Sequence, residues 1–578
     1  MRVPVSWLRD YVDLPADLDV KELADRLTFL GLKLEALEAA GADVIGPLLV
    51  GRVLTFEEEE HSNGKTIRWC QVEVGESEPR GIVCGARNFA TDDLVVVALP
   101  GAVLTGGFEI ASRKTYGHLS DGMICSAREL GLGDDHTGII VLPPGSAEVG
   151  SEAAPVLHLR DDVIEFEINP DRAYALSVRG VAREAATAYE LEFRDPALTL
   201  PAAPAGEGYP IEVDDPAGCD LFVALTVDGF DASRPSPRWL ARRVQLAGMR
   251  PISLAVDVTN YVMLELGQPI HGYDRATLQG AIGVRRATAG EKLTTLDGTT
   301  RKLDPEDLLI TDDRGPIGLA GVMGGAETEM SAATTSVVIE AAHFEPVTIA
   351  RAARRHKLPS EASKRFERGI DPTIAPVAAR RVADLLVEYG GGRIAPTATV
   401  VGEPATRASI AIDAQLAARV AGFAIADDTA ADALRTVGCQ LEVAAGRITA
   451  TPPAWRPDLN DPNDLVEEVL RIVGYPLVPS VLPAAPAGRG LTKHQRLRRR
   501  VGIALAAAGY VEALAYPFIG SRDLDALGLP ADDGRRSALR VANPLSEQEP
   551  LLRTTLVPGL LRTLARNVSR GQDAIGLF

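Results

Sequence analysis

Between Trp455 and Tyr475 the chain reads WRPDLNDPNDLVEEVLRIVGY, and five carboxylates fall within or just ahead of one short helical pattern: Asp458, Asp461, Asp464, Glu467 and Glu468. Asp461 before Pro462 fits a helix N-cap with proline at the first helical position. Asp464 then falls where an acid reaches back to the backbone of the cap. Glu467 stands four residues before Arg471, a favourable ion-pair spacing. Asp464, however, faces Glu467 at i+3 and Glu468 at i+4, and each such like-charge contact costs roughly 0.2–0.5 kcal/mol in an isolated helix. The acids oppose one another unless a cation or an arginine sits among them. Oxygen-only ligands favour magnesium or calcium over zinc. The spacing leaves a cation and an arginine both open.

A second group of polar residues lies in RPISLAVDVTNYVMLELGQPIHGYD, where His271 follows a Gly-Gln-Pro turn and Thr259, Asn260 and Gln268 stand within a dozen residues. A lone histidine is commonly a satisfied structural residue; the polar company argues for a polar pocket. The glycine-rich GLAGVMGGAETEM at 318–330 is not a P-loop, because no Gly-Lys-Ser/Thr follows, and it lacks dinucleotide-fingerprint spacing. Its glycines suit tight turns or the close approach of another backbone or ligand. There is no G-x-S-x-G, no H-E-x-x-H and no cysteine-nucleophile signature, so no covalent mechanism is indicated.

The elements that must carry these groups belong to a large globular chain. It has 578 residues, 46% hydrophobic and 24% charged, with a net charge of −19. At roughly 150 residues per domain this predicts about four domains. No run of about 18 uncharged apolar residues marks a membrane span, and the charges in MRVPVSWLRDYVDLP disfavour a signal peptide. Five scattered cysteines exclude a CxxC ribbon and fit a reducing, cytoplasmic setting. The net charge argues against a generic nucleic-acid binder, yet RAARRHKLPSEASKRFERG (351–369) and RGLTKHQRLRRR (489–500) are locally basic. Either run alone is also explained by a solvated helix face.

Residues 1–39 read as a small α/β unit with a helical period through Leu23, Leu27 and Leu30. From about 48 the period changes to two, in LLVGRVLTF, TIRWCQVEV and DLVVVALPG, which predicts a small antiparallel barrel or sandwich. A strand, an Asn-Pro-Asp turn and a helix from about Ala175 follow in 155–195. PAAPAGEGYP (201–210) and VPSVLPAAPAGRG (478–490) read as linkers. The segment between them mixes strands and helices, with a new unit from about 401. The last stretch, 491–578, starts basic and helical and stops on the strand-like GQDAIGLF, as a fragment would.

In order along the chain stand VPVSWLRDYVDLP, VCGARNFATDDLVVVALPGAVL, SDGMICSARELGL, EINPDRAYALSVRGVARE, ISLAVDVTNYVMLELGQPIHGYD, LAGVMGGAETE, EASKRFERGIDP, the acid-rich helix and NPLSEQEPLLRTTLVPGLL. Together they resemble the β subunit of bacterial phenylalanyl-tRNA synthetase over the whole chain, truncated at the C-terminus. The resemblance implies a multidomain α+β architecture. An N-terminal α/β domain would comprise 1–39 and 151–200, and an OB-fold tRNA-binding module 40–150. An α/β editing region would occupy 205–400, a winged-helix-like magnesium-binding module 402–480, and the start of a class II synthetase-like catalytic domain 490–578.

The resemblance implies that ATP and phenylalanine are handled mainly by an α-subunit partner in an α2β2 particle. The β chain would bind tRNA(Phe) and hydrolyse misattached tyrosine. A hydrophobic synthetic pocket rejects an added hydroxyl only weakly, on the order of 10²-fold, so a second site built to hydrogen-bond that hydroxyl is needed. By motif, Glu340 in VVIEAAHF would meet the tyrosine hydroxyl. Thr259, Asn260 and His271 would line the ester end, and Ala320 and Gly321 would wall the aromatic ring. The same resemblance assigns Mg2+ to Asp458, Asp464, Glu467 and Glu468, leaving Asp461 as the cap. The rival readings are a non-catalytic tRNA-binding or assembly module and a DNA-binding regulator; acids on the module's helix disfavour DNA. The run EEEE at 57–60 would weaken nearby tRNA backbone contact.

Overall fold

The computed structural model describes residues 1–61, 64–484, 488 and 490–578. The chain divides into two compact units, Met1–Pro479 and Ser480–Phe578. The second proline- and alanine-rich linker falls partly on residues 485–487 and 489, and so lies partly outside the described residues. Among the described residues no helix is long and apolar enough to cross a membrane.

In the first unit, strand Asp161–Glu167 lies between Arg2–Pro4 and Lys33–Ala40, antiparallel to both. Helix Val20–Phe29 packs Leu23 and Leu27 beneath this small sheet. The following helix starts at Val178, later than the expected Ala175, because Ser177 caps it by accepting from the Gly180 N–H. The chain from 48 to 152 leaves and re-enters between neighbouring strands of that sheet. It builds its own six-stranded antiparallel sheet, in which Leu48–Glu60, Thr66–Glu73, Arg80–Cys84 and Leu94–Ala98 are the longest members. Their period-two pattern buries Val50, Val72, Ile82 and Val96.

Residues 211–402 form two sheets back to back with helices. One has the order Ile211–Val213, Ile282–Arg286, Leu308–Asp312, Gly315–Leu319, Met323–Gly324; its first pair is parallel and the rest antiparallel. The other runs Ile270–Asp274, Ser336–Phe344, Cys219–Asp228, all antiparallel, extended by Arg393–Ile394 and Thr399–Gly402. Strand Ser336–Phe344 is buried on both faces. Val337, Ile339 and Ala341 enter the core with helices Leu254–Leu266 and Ala375–Gly390, while Val338, Ala342 and Phe344 enter a second core with the other sheet. Residues 410–473 add a three-stranded sheet, Ile410–Asp413, Arg447–Thr451, Gln440–Ala444, closed by helices Asp427–Val437 and Pro462–Val473 around Leu434, Leu465 and Val469.

The second unit holds the expected basic helix, Lys493–Ala507, none of whose residues is buried. A short pair, Phe518–Ile519 with Leu551–Leu552, and helix Val557–Val568 follow. The terminal GQDAIGLF makes an isolated bridge, Leu577 to Val511, and no regular strand.

Ile339 is fully buried in the central strand, whereas Leu198 is 86% exposed. Ile339→Ala is expected to cost about 2–5 kcal/mol in urea unfolding, and Leu198→Ala less than about 0.5 kcal/mol.

Candidate functional site

Strands Ile270–Asp274 and Ser336–Phe344 pair so that His271 is opposite Glu340 and Tyr273 opposite Val338. Alternate residues of a strand share a face, and directly opposed residues share one too. His271, Tyr273 and Glu340 therefore stand together. The His271 and Tyr273 rings meet edge to face with centroids 4.6 Å apart. The Tyr273 hydroxyl donates to a Glu340 carboxylate oxygen. Upstream, the turn is pinned by Gln268, whose side-chain amide donates to Ala342 O at 2.9 Å and Pro269 O at 3.0 Å. Gln268 thus holds the strand in place.

Helix Leu254–Leu266 brings Thr259 and Asn260 to the opposite wall, and the glycine-rich loop and helix Glu361–Phe366 complete a cavity of about 320 Å³. His271, Glu340, Thr259, Asn260 and Gly321 all line it. The Thr259 hydroxyl donates to Val256 O at 2.8 Å. Ala320, expected in the wall, is not there. Its side chain is buried in the core behind, where the end of strand Gly315–Leu319 turns it among apolar neighbours. Two glycines are required by the geometry. Gly321 has φ +65°, and a Cβ on it would meet the rings of Phe366 and Phe344 at 2.9–3.0 Å. A Cβ on Gly324 would lie 2.5 Å from His271 Cε1, so the approaching group that the loop accommodates is this imidazole.

Burial decides the ionisation of these groups. It pushes the Glu340 carboxyl up to about 7, with the Tyr273 hydrogen bond acting in the opposite sense. It pushes His271 down to about 4, so the imidazole is neutral at physiological pH. Burial, and then the Glu340 charge, hold the Tyr273 phenol well above its ordinary 10, so this hydroxyl stays protonated and donates to Glu340. The buried His271 Nε2 has no hydrogen-bond partner among the described residues. An orphaned ring nitrogen lining a cavity is a group in want of a water or a ligand. Tyr273 was missed in the sequence; its i+2 spacing from His271 was the available signal.

The acid-rich helix is settled differently. Asp461 accepts from Asn463 N at 2.9 Å, and Asp464 accepts from Asp461 N at 2.7 Å and Asn460 N at 2.8 Å, so Asp464 serves the cap. Asp458 is held by Arg456 through two nitrogens, at 2.9 and 2.6 Å. Glu468, 1% exposed, accepts from Arg172 at 2.5 Å, Arg456 at 2.7 Å and Arg471 at 2.7 Å. Glu467, half exposed, pairs with Arg172 at 3.1 Å. Arg471 ignores it, bonding instead to Glu468 and, at 2.6 Å, to Glu184. Burial alone would raise the Glu468 carboxyl, but the arginines overcome it and hold it well below the usual carboxylate range. Among the described residues, no three His, Cys, Asp or Glu side chains converge as a cation would require. The expected magnesium ligands Asp458, Asp464, Glu467 and Glu468 do not fit that role here: guanidinium groups hold both oxygens of Asp458 and Glu468 and one of Glu467, Asp464 caps backbone N–H groups, and the four do not converge on a common point. Arg172, Arg456 and Glu184 are distant in sequence or lacked helical spacing, which hid this arrangement.

Comparison with known proteins places these features. Family models match residues 48–152 (putative tRNA binding domain), 218–391 (B3/4 domain), 410–475 (tRNA synthetase B5 domain) and 478–578 (phenylalanyl tRNA synthetase beta chain CLM domain). The phenylalanine--tRNA ligase beta subunit of Streptomyces avermitilis is 58% identical over 586 residues, covering 100% of this chain and 70% of that protein. The chain belongs to the phenylalanine--tRNA ligase beta-subunit family. The Thermobifida fusca beta subunit is 57% identical over 583 residues, with the same coverage of 100% and 70%. A solved N-terminal fragment of the phenylalanyl-tRNA synthetase beta subunit from Pyrococcus horikoshii aligns at 15% identity and a TM-score of 0.29, covering 55% of this chain and 88% of that one. Within this beta-subunit chain, the cavity lies in the B3/4 match and the arginine-bound acids lie in or beside the B5 match.

Removing the Glu468 charge leaves three buried guanidinium groups short of an acceptor. Glu468→Gln is expected to destabilise the fold by roughly 3–5 kcal/mol, equally in magnesium and in EDTA. An EDTA-sensitive unfolding midpoint in the parent chain that the variant loses would instead place a cation at Glu468.

Proposed function

We propose that the cavity between Glu340 and His271 hydrolyses tyrosine wrongly esterified to tRNA(Phe). The observation that carries this reading is a buried carboxyl, Glu340, in a cavity walled largely by aliphatic side chains, methionines, glycines and the Phe366 ring, across the strand pair from a neutral imidazole whose Nε2 has no partner among the described residues. Glu340 gives a tyrosyl hydroxyl an acceptor that phenylalanine leaves unused. A site built this way rejects the analogue lacking the hydroxyl strongly, by roughly 10⁴–10⁵. The Nε2 of His271 and the Thr259 and Asn260 side chains are polar groups for the ester and the attacking water. Water adds to the ester carbonyl, the bond to the ribose oxygen breaks with return of a proton to that oxygen, and tyrosine and tRNA are released. No side chain need form a covalent intermediate, since positioning and preorganised hydrogen bonds lower the barrier. His271, neutral above about pH 4, acts there by orienting the attacking water.

The same reading assigns residues 1–39 with 151–200 to an N-terminal α/β domain and 40–150 to an OB-fold tRNA-binding module. It assigns 205–400 to the editing region, 402–480 to a winged-helix-like module and 490–578 to the start of a class II synthetase-like catalytic domain. It makes the chain the cytoplasmic partner of an α subunit, in an α2β2 particle, where ATP and phenylalanine are bound mainly by α. The sheet of residues 48–152 carries Glu57–Glu60, with Glu58 on Arg68 at 2.9 Å and Glu59 on His118 at 2.8 Å. That edge repels phosphate, so tRNA contact falls to other faces of the module.

Glu340→Ala and His271→Ala are each expected to slow Tyr-tRNA(Phe) hydrolysis by about 10²-fold or more while sparing phenylalanylation by the assembled enzyme. Undiminished hydrolysis in both variants would move the reaction out of this cavity, and no Tyr-tRNA(Phe) hydrolysis by the parent chain, with salt-sensitive tRNA binding kept, would leave a non-catalytic tRNA-binding module.

A further inference from the structure

We propose that Tyr273 is a positioning residue for specificity, its hydroxyl occupying one oxygen of Glu340 so that the other is presented, as a carboxylate, to the phenolic hydroxyl of the substrate. This rests on the editing reading above and adds to it a residue that sets the charge and orientation of the recognising group.

The geometry is local. Tyr273 is 1% exposed and two residues from His271 on the same sheet face. Its hydroxyl reaches diagonally across the strand pair to Glu340. A carboxylate only accepts, whereas a carboxylic acid carries a proton of its own and presents it as readily as a lone pair. Which form meets the substrate therefore matters for telling a hydroxyl from a bare ring.

The surroundings of Glu340 offer little else to hold its charge. From its own pairing partner come Tyr273 and His271, the latter neutral. From strand Cys219–Asp228, Ala224 is directly opposite, and the Cys219 thiol nearby is pushed up by burial and stays protonated. From the glycine-rich loop and helix Glu361–Phe366 come two further acids, Glu329 and Glu361, the latter engaged by Arg365 at 2.7 Å. No lysine or arginine is among the described residues lining the cavity. A neutral O–H donor is thus the group that favours the ionised form, against a burial that drives Glu340 up to about 7. With one oxygen filled by Tyr273, the substrate hydroxyl completes the carboxylate, and a phenylalanyl ring leaves it incomplete.

Tyr273→Phe in the assembled enzyme, assayed for Tyr-tRNA(Phe) hydrolysis over roughly pH 6–9, tests this. The acid limb of the rate profile should move up by about one pH unit, a loss of roughly fivefold at pH 7 approaching tenfold below it and regained at high pH. A uniform fall with the limb unmoved, or no change, overturns the proposal. Fluorotyrosine placed at position 273 keeps the ring and strengthens the donor; it should move the limb to lower pH, and an unmoved limb is again an overturning result. Glu340→Ala distinguishes failure of the editing reading from failure of the Tyr273 role. If it hydrolyses Tyr-tRNA(Phe) normally, the editing reading fails. If it is defective while both changes at 273 leave the limb in place, only the role of Tyr273 falls.

Discussion

The register between Ile270–Asp274 and Ser336–Phe344 is the constraint on which the site depends. Side chains of Ser336–Phe344 alternate between two cores: Val337, Ile339 and Ala341 face the helices, while Val338, Ala342 and Phe344 face the second sheet, and Glu340 shares their side. A slip of one residue would drive Glu340 among Leu225, Leu254 and Val258 and bring an alkyl group to the cavity. Both faces being apolar, the strand has no solvent side on which an error is cheap. The carboxyl is thus held where it is by the hydrophobic residues on either side of it, and its perturbed ionisation follows from the same burial.

A second constraint fixes how the module at 410–473 meets the N-terminal elements. Arg172 and Glu184 come from one, Arg456, Glu468 and Arg471 from the other, and all five are 5% exposed or less. The Tyr174 hydroxyl completes the set by donating to Glu184 at 2.6 Å. Burying charges is costly, and such a network rarely adds net stability over an apolar contact. Its value lies in geometry: guanidinium forks accept few orientations of their carboxylates, so the contact is directional where a greasy one would slide.

How much of this was legible beforehand follows the range of each interaction. The acid-rich helix was readable from Asp461 to Val473, cap included, because caps and helical periods are local. The need for a positive partner was readable as well. That the partners are Arg172 and Arg456 was not, since tertiary distance decides it and the in-helix candidate Arg471 turned to Glu468 and Glu184. In the cavity, polar neighbours of His271 in sequence were sorted only by the fold: Thr259 and Asn260 face it, while Gln268 became a strut. Ala320 and Gly321 are adjacent in sequence, yet only Gly321 reaches the cavity. The cross-strand pairing of His271 with Glu340 spans the whole of the intervening sheet, and no local pattern carries it.

The excursion at 48–152 has a consequence of its own. Ala40 and Asp161 are direct register partners, so the chain departs from the N-terminal sheet and returns to it at neighbouring positions. The module hangs on that sheet as a loop with its two ends together. Residues can be added to or changed within it without rethreading the sheet that carries it. The acid run at Glu57–Glu60 is then a trait of one replaceable appendage, free to follow whatever surface it meets while the cavity and its strands stay as they are.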